Sequence, residues 1–179
     1  MEAKIVIIPG LGGSGDDHWQ SFWSRSFDKV IRLEQENWDE PELGKWLEKL
    51  NEAVEKLDYP VILVAHSLAV SLVLHWAARY NQSNIKGALL VAPADVDSPE
   101  HTPDVVRGFA PMPTIKLAFP SIVVASVNDP YLDLNRAKYF AEKWGSEFIN
   151  IGEKGHINSD SKLGFWEEGQ LILQKLLKG

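Results

Sequence analysis

The chain has 179 residues, 45% of them hydrophobic and 24% charged, a composition that suits one soluble globular domain able to bury a core without disulfides or metals. Its 25 acidic and 18 basic residues leave a net charge of −7, which disfavours nucleic acid and anionic lipid as partners and suits a small or neutral ligand. The absence of cysteine excludes disulfides, thiolate metal sites and a thiol nucleophile, and no apolar run approaches the length of a membrane span.

The chain opens on Met1-Glu2-Ala3-Lys4 and four aliphatics, without the long apolar core and cleavage site of a signal peptide, so a first strand and a cytoplasmic protein are expected. Lys4 to Ile8 is apolar on both faces, as in a buried parallel strand, and Pro9-Gly10-Leu11-Gly12-Gly13-Ser14-Gly15 then forms a backbone-rich loop. Asp16 and Asp17 are candidate caps for a helix beginning near His18, on which Trp19, Phe22 and Trp23 share a face that reads as core. A second strand is expected over 29–33. Leu43, Trp46, Leu47, Leu50, Val54 and Leu57 then keep a helical period beside a charged outer face.

The apolar run Val61-Ile62-Leu63-Val64 meets Ala65-His66-Ser67-Leu68-Ala69 and passes into an apolar helical run to Tyr80 with no turn residue between. A strand driven directly into a helix through a serine forces a cramped backbone at that serine, lifts its hydroxyl clear of the sheet, and requires small residues two positions to either side. Ala65 and Ala69 stand where the usual G-x-S-x-G elbow has glycines. Further strands are expected over 88–92, 122–127 and 147–151, and further helices over 132–144 and 166–177. The long aperiodic segment 94–120, rich in Pro and Asp, reads as a minimal cap or binding loop. Strands alternating with helices imply a parallel sheet covered on both faces.

In open parallel sheets, function gathers at the carboxyl ends of the strands. Those ends carry Ser67, Asp129 and His156, a nucleophile, an acid and a base in the chain order that α/β-hydrolases use. Neutral His156 can take the Ser67 proton, and Asp129 can fix the imidazole tautomer and stabilise the imidazolium. The backbone N–H groups of Leu68, at the start of the buried helix, and of Leu11, in the glycine loop, are the candidate oxyanion donors. His66 and His75 read most simply as packed core histidines, and His18 as a residue of the helix start. Asp95 and Asp133 are rival acids, less well placed than Asp129. The acidic stretch Asp95, Asp97, Glu100, His101, Asp104 lacks the spacing of a calcium loop and reads as a solvated face.

The sequence resembles the small α/β-hydrolases that include the retinoblastoma-binding serine hydrolase and bacterial YdeN-like proteins. The resemblance runs through Pro9 to Ser14 with Asp17-His18-Trp19, Asn37-Trp38-Asp39, His66-Ser67, Asn128-Asp129-Pro130-Tyr131 and Gly155-His156-Ile157-Asn158. It implies a single-domain, reduced α/β-hydrolase over 1–179, with a triad at Ser67, Asp129 and His156, a loop-rich minimal cap at about 94–120, and no metal or other cofactor. The expected sheet has six parallel strands in the order 2-1-3-4-5-6. The expected activity is cleavage of small acyl esters or related acyl compounds through an acyl-serine, carboxylesterase-like, on a small-molecule substrate. Trp38, Phe109, Met112 and Ile157, apolar residues of carboxyl-end loops, are the expected wall of a shallow pocket. Two other classes compete. Gly10 to Gly15 formally matches G-x-G-x-x-G, with Glu34 where a ribose-binding acid of a dinucleotide site would stand, and a catalytically weak hydrolase fold could serve as an interaction protein.

Overall fold

A computed structural model describes residues 3–179. Six strands form one sheet: β1 (Lys4–Ile8), β2 (Val30–Arg32), β3 (Val61–His66), β4 (Ile85–Val91), β5 (Ser121–Ala125) and β6 (Glu147–Asn150). Every neighbouring pair is parallel, as the alternation of apolar runs and helical periods predicts, and the order is β2-β1-β3-β4-β5-β6, as the family resemblance implies. The helices are α1 (Trp19–Ser26), α2 (Leu43–Glu55), α3 (Leu68–Ala77), α4 (Leu134–Trp144) and α5 (Glu167–Lys178).

Because side chains alternate along a strand, each central strand feeds two cores. Val6, Ile8, Leu63, Ala65, Ala88, Leu90 and Val123 meet α2, α3 and α4 on one face. Ile5, Ile7, Ile62, Val64, Leu89, Val91 and Val124 meet α1 and α5 on the other. The edge strands are the short ones: β2 keeps three residues of the five expected, and all three are only partly buried. The structure extends β3 through His66 and starts β4 at Ile85, because the ladder between these two strands continues beyond the purely apolar residues, with Val61 pairing Ile85 and His66 pairing Val91. Helix α3 ends at Ala77, three residues short of Tyr80.

The segment 94–120 packs onto the domain, with Ala94, Thr102, Pro103 and Val106 bordering a cavity. Val96, Val106, Phe109, Met112, Leu117 and Phe119 are buried in the core that covers α3 and α4, with a short 3-10 turn at Asp104–Phe109. Polar clasps hold it down. Arg107 donates to the carbonyls of Val96, Ser98 and Thr102, and Arg136 of α4 bridges Asp95 at 3.0 Å and Asp97 at 2.9 Å. Asp95 is thus a buried structural carboxylate rather than part of a solvated face.

The expected cap residues Asp16 and Asp17 are exposed, and His18 caps α1 instead, its Nδ1 accepting the Gln20 N–H at 3.1 Å. Asp133 likewise stands at the N-cap of α4 rather than inside the helix, accepting the Asn135 N–H at 2.8 Å. Phe22, read as core, is only partly buried and meets Phe165 near the surface, ring centroids 5.1 Å apart, whereas Trp19 and Trp23 are buried.

Trp166 packs edge-on against Trp19 and stacks on Trp23, with ring centroids 4.9 and 5.9 Å away. The ring lies over Gly169, where a Cβ would fall 2.2 Å from Trp166 Cε3. A glycine within a helix is ordinarily improved by alanine, by roughly 1 kcal/mol. Here the indole has no room to retreat, so Gly169→Ala should instead destabilise the protein by about 1–3 kcal/mol, the usual cost of overpacking. Urea unfolding of the two proteins measures the difference, and a gain in stability would show that the indole can move aside.

Candidate active site

Ser67 stands between β3 and α3 with φ 59° and ψ −122°, a backbone conformation that costs a non-glycine residue of the order of 1–3 kcal/mol. The flanking alanines Ala65 and Ala69 are fully buried, so the methyl groups that replace the usual glycine hydrogens are packed rather than strained into solvent. Space for the turn comes from the neighbouring strand end. A Cβ on Gly10 would lie 2.7 Å from the His66 carbonyl oxygen and 3.1 Å from Leu68 N, so only glycine can stand against the elbow.

The carboxyl ends of β3, β5 and β6 bring three side chains into one line. Ser67 Oγ is 2.8 Å from His156 Nε2, and His156 Nδ1 is 2.9 Å from both carboxylate oxygens of Asp129. A carboxylate can only accept, so Nδ1 carries the hydrogen and neutral Nε2 presents its lone pair to the serine hydroxyl. The Asp129 side chain is almost wholly buried, and its Oδ1 also accepts the Tyr131 N–H at 2.9 Å.

Several residues that sequence reasoning left without a role hold this line in place. Asn128 Oδ1 accepts the Ser126 hydroxyl at 2.8 Å and the Gly155 N–H at 2.7 Å, and Ser126 Oγ accepts the Lys154 N–H at 2.9 Å. These bonds tie the end of β5 to the histidine loop. The Trp19 indole donates to the Ile157 carbonyl at 2.8 Å, and His66 Nε2 bonds the His156 carbonyl at 2.9 Å. The Tyr131 ring lies against the His156 ring, centroids 4.4 Å apart. The signal for Asn128 and Tyr131 was their adjacency to Asp129; the rest depends on contacts between distant segments.

A cavity of about 300 Å³ opens above Ser67. Its lining includes Leu11, His18, Leu68, Thr102, Val106 and Tyr131. Leu68 is the first residue of α3, so its N–H has no acceptor within the helix, and Leu11 reaches the same cavity from the glycine loop. The four residues expected to wall the pocket do not line it. Phe109 and Met112 are buried in the core over α3. Ile157 points into the opposite core, because φ 50° at this residue turns its side chain inward. Trp38 lies across the glycine loop, where a Cβ on Gly13 would come within 2.8 Å of its ring.

At Gly13 that loop is thus covered by the Trp38 ring. Arg32 binds the carbonyls of Gly13 and Ser14 from below, and Glu34 pairs with the same arginine at 3.2 Å in an exposed position. Among the described residues no three His, Asp or Glu side chains gather as a metal-binding group.

With the geometry in view, comparison with known proteins gives one family. Residues 5–175 match the serine hydrolase family. The chain belongs to it. A solved structure described as a YdeN-like hydrolase, from Pectobacterium atrosepticum, is 33% identical, with a TM-score of 0.88 over 99% of this chain and 91% of that one. The ydeN gene product of B. subtilis is 20% identical, with a TM-score of 0.81 over 99% of this chain and 100% of its own. Est1E from Butyrivibrio proteoclasticus, at 16% identity and a TM-score of 0.71 over 98% and 89% of the two chains, shares the fold. No curated protein matches the sequence. The chain is thus a YdeN-type α/β-hydrolase, and no helix among the described residues is long and apolar enough to cross a membrane.

Three further histidines are kept neutral. His18 has its pKa lowered from 6.5 to about 3 by burial, with the Arg32 and His156 charges adding to the effect. Burial likewise holds His66 well below its ordinary value, aided by the same kind of repulsion from His18 and His156. His75 is lowered mainly by burial and sits in the core, its Nε2 bonded to the Phe109 carbonyl at 2.7 Å. A histidine that stays neutral when folded but protonates near 6.5 when unfolded withdraws stability as pH falls below that value. For His18 the window runs from 6.5 down to about 3. Between about pH 7 and about pH 5 it should cost the protein about 2 kcal/mol. Asparagine preserves the cap without the titration. Urea denaturation at the two pH values should therefore show a steeper loss for the wild type than for His18→Asn, and parallel losses would mean that His18 protonates in the folded state.

Proposed function

We propose that the protein hydrolyses short acyl esters, or closely related acyl compounds such as thioesters, through an acyl-Ser67 intermediate. The observation that carries this reading is the unbroken line from Ser67 Oγ through His156 to Asp129, at 2.8 and 2.9 Å, on the floor of a small cavity. Ser67 Oγ attacks the acyl carbon while His156 Nε2 takes its proton, and the carbonyl electron pair moves onto oxygen. The N–H groups of Leu11 and Leu68 receive that oxyanion. Collapse breaks the bond to the leaving group, which departs with the proton from Nε2. Water then attacks the acyl-enzyme as Nε2 takes its proton, and collapse breaks the bond to Ser67 Oγ, which receives that proton as the acid is released. Asp129 holds Nδ1–H throughout and faces the imidazolium when it forms.

The cavity's size supports small substrates, since about 300 Å³ lies at the lower end of ligand-binding pockets. Buried Asp95 is engaged by Arg136, and Asp133 caps its helix, which supports Asp129 as the acid. Asp129→Asn should lower kcat by about 10⁴-fold, the size of effect seen when a triad acid is neutralised. Ser67→Ala should abolish both turnover and labelling by a fluorophosphonate probe while the protein still folds. Asp133→Asn should remain active. A fully active Asp129→Asn, or labelling that persists in Ser67→Ala, would overturn the assignment.

A further inference from the structure

The glycine loop that carries Leu11 has little side chain of its own to pack. Gly12, Gly13 and Ser14 pass in succession through left-handed backbone, with φ 76°, 77° and 48°, and a Cβ at Gly12 or Gly15 would meet nothing within 4 Å. The course of the loop is set by what binds it. The Trp38 ring covers Gly13, and Arg32 donates to the carbonyls of Gly13 and Ser14. One further side chain joins the loop to the strand that carries the nucleophile.

Gln20, the second residue of α1, is wholly buried, a place an amide occupies only when its polar atoms are paired. Here they are. Nε2 donates to the carbonyls of Ile8 and Val64, each at 3.2 Å, and Oε1 accepts the Ser14 hydroxyl at 2.8 Å. Two carbonyls at one end require the NH₂ there, so the amide can stand only one way round.

The three partners have a common geometry. Ile8 closes β1 where the chain enters the loop, Ser14 follows the loop's turn, and Leu11 lies between them. Val64 lies on β3 just ahead of the elbow. A Cβ on Gly10 would fall 3.1 Å from Leu68 N, so the peptide that bears the Leu11 N–H passes directly beside the start of α3. One planar amide thus ties both sides of Leu11 to the strand that leads into Leu68.

We propose that Gln20 is a positioning residue for the reaction, its amide fixing the separation of the Leu11 and Leu68 N–H groups so that both meet the oxyanion. The proposal rests on the acyl-enzyme reading above and deepens its oxyanion hole. Such donors act only when held where the charge will develop, and a misplacement of about 1 Å can cost about 10²-fold in rate. Gln20 does not border the cavity, so it acts only through the backbone it holds.

Gln20→Met keeps nearly the same shape and removes all three bonds. Ser14→Ala removes only the bond between loop and amide and leaves the two strand carbonyls paired, so it decides the matter if Gln20→Met fails to fold. Each is compared with the wild type on an ester and on its thionoester, whose larger sulfur fits poorly where the donors are set for oxygen. The ratio of the two kcat/KM values, divided by the same ratio for alkaline hydrolysis, does not depend on how much of the enzyme is correctly folded. In the wild type the ester should be preferred by at least about tenfold. Gln20→Met should lower kcat on the ester by about 10- to 100-fold with KM changed less than about twofold, and Ser14→Ala by a smaller factor in the same direction. The thionoester should slow less, so that the preference narrows in each variant. A preference unchanged in the variants that fold would overturn the role of Gln20, since a merely structural residue would slow both substrates alike. Fluorophosphonate labelling of wild-type Ser67 separates the levels: labelling without preference for the ester sinks the oxyanion hole and this proposal with it, whereas absence of labelling sinks the acyl-enzyme reading itself.

Discussion

The site depends on a backbone conformation that the chain would not adopt if left to itself. Ser67, with φ 59° and ψ −122°, must be held there by its neighbours. β3 is buried along its whole length and α3 is buried on every side. Shifting either element to relax the serine would pull a large apolar surface from two cores at once. Register adds to the constraint, because Ala65 pairs with Ile8 on one side and Leu90 on the other, and His66 with Val91. The elbow glycines of the usual motif are absent, yet the demand for small size is met across the sheet by Gly10. The strain is local, and the burial that maintains it spans the domain.

A second problem is to hold His156 in register with a serine 89 positions earlier in the chain. β6 is a short edge strand that ends at Asn150, and the histidine lies on the loop beyond it. Hydrogen bonds substitute for sheet pairing there. Asn128 and Ser126 bind the loop backbone from β5, Trp19 binds it from α1, and His66 binds it from the elbow itself. His66 and His18 place two imidazoles near His156 without placing charge there, since burial keeps both neutral. Within this cluster, the Asp129 carboxylate is the group bonded to His156 Nδ1.

How much of this was legible in the sequence follows from which contacts are local. Val61 to Val64 and the other apolar runs read as buried strands because a strand covered on both faces leaves an unbroken apolar stretch, the parallel sheet followed from connection rules, and the strand order came with the family resemblance. The order Ser67, Asp129, His156 was visible because strand ends are visible. Side-chain direction in irregular segments was not. Phe109, Met112 and Ile157 lie on the loops where a pocket wall belongs, but a loop has no period to say which face points inward, and all three turn into the core. Asp16, Asp17 and His18 can each cap a helix by residue type, and only the path of the glycine loop decides among them. The clasp of Arg136 on Asp95 and Asp97 joins segments 41 and 39 residues apart, beyond any local pattern.

The claim on which the account turns is that a covalent acyl group passes through Ser67, and trapping that group tests it most directly. Rapid acid quench of the enzyme with an activated acetate ester, followed by peptide mass analysis, should find an acetyl group on the peptide containing Ser67. It should appear in step with a burst of leaving group equal to the enzyme concentration, as expected when acylation outpaces deacylation. Turnover with the acetyl group on a different residue, or a stoichiometric burst that leaves the Ser67 peptide unmodified, would contradict it.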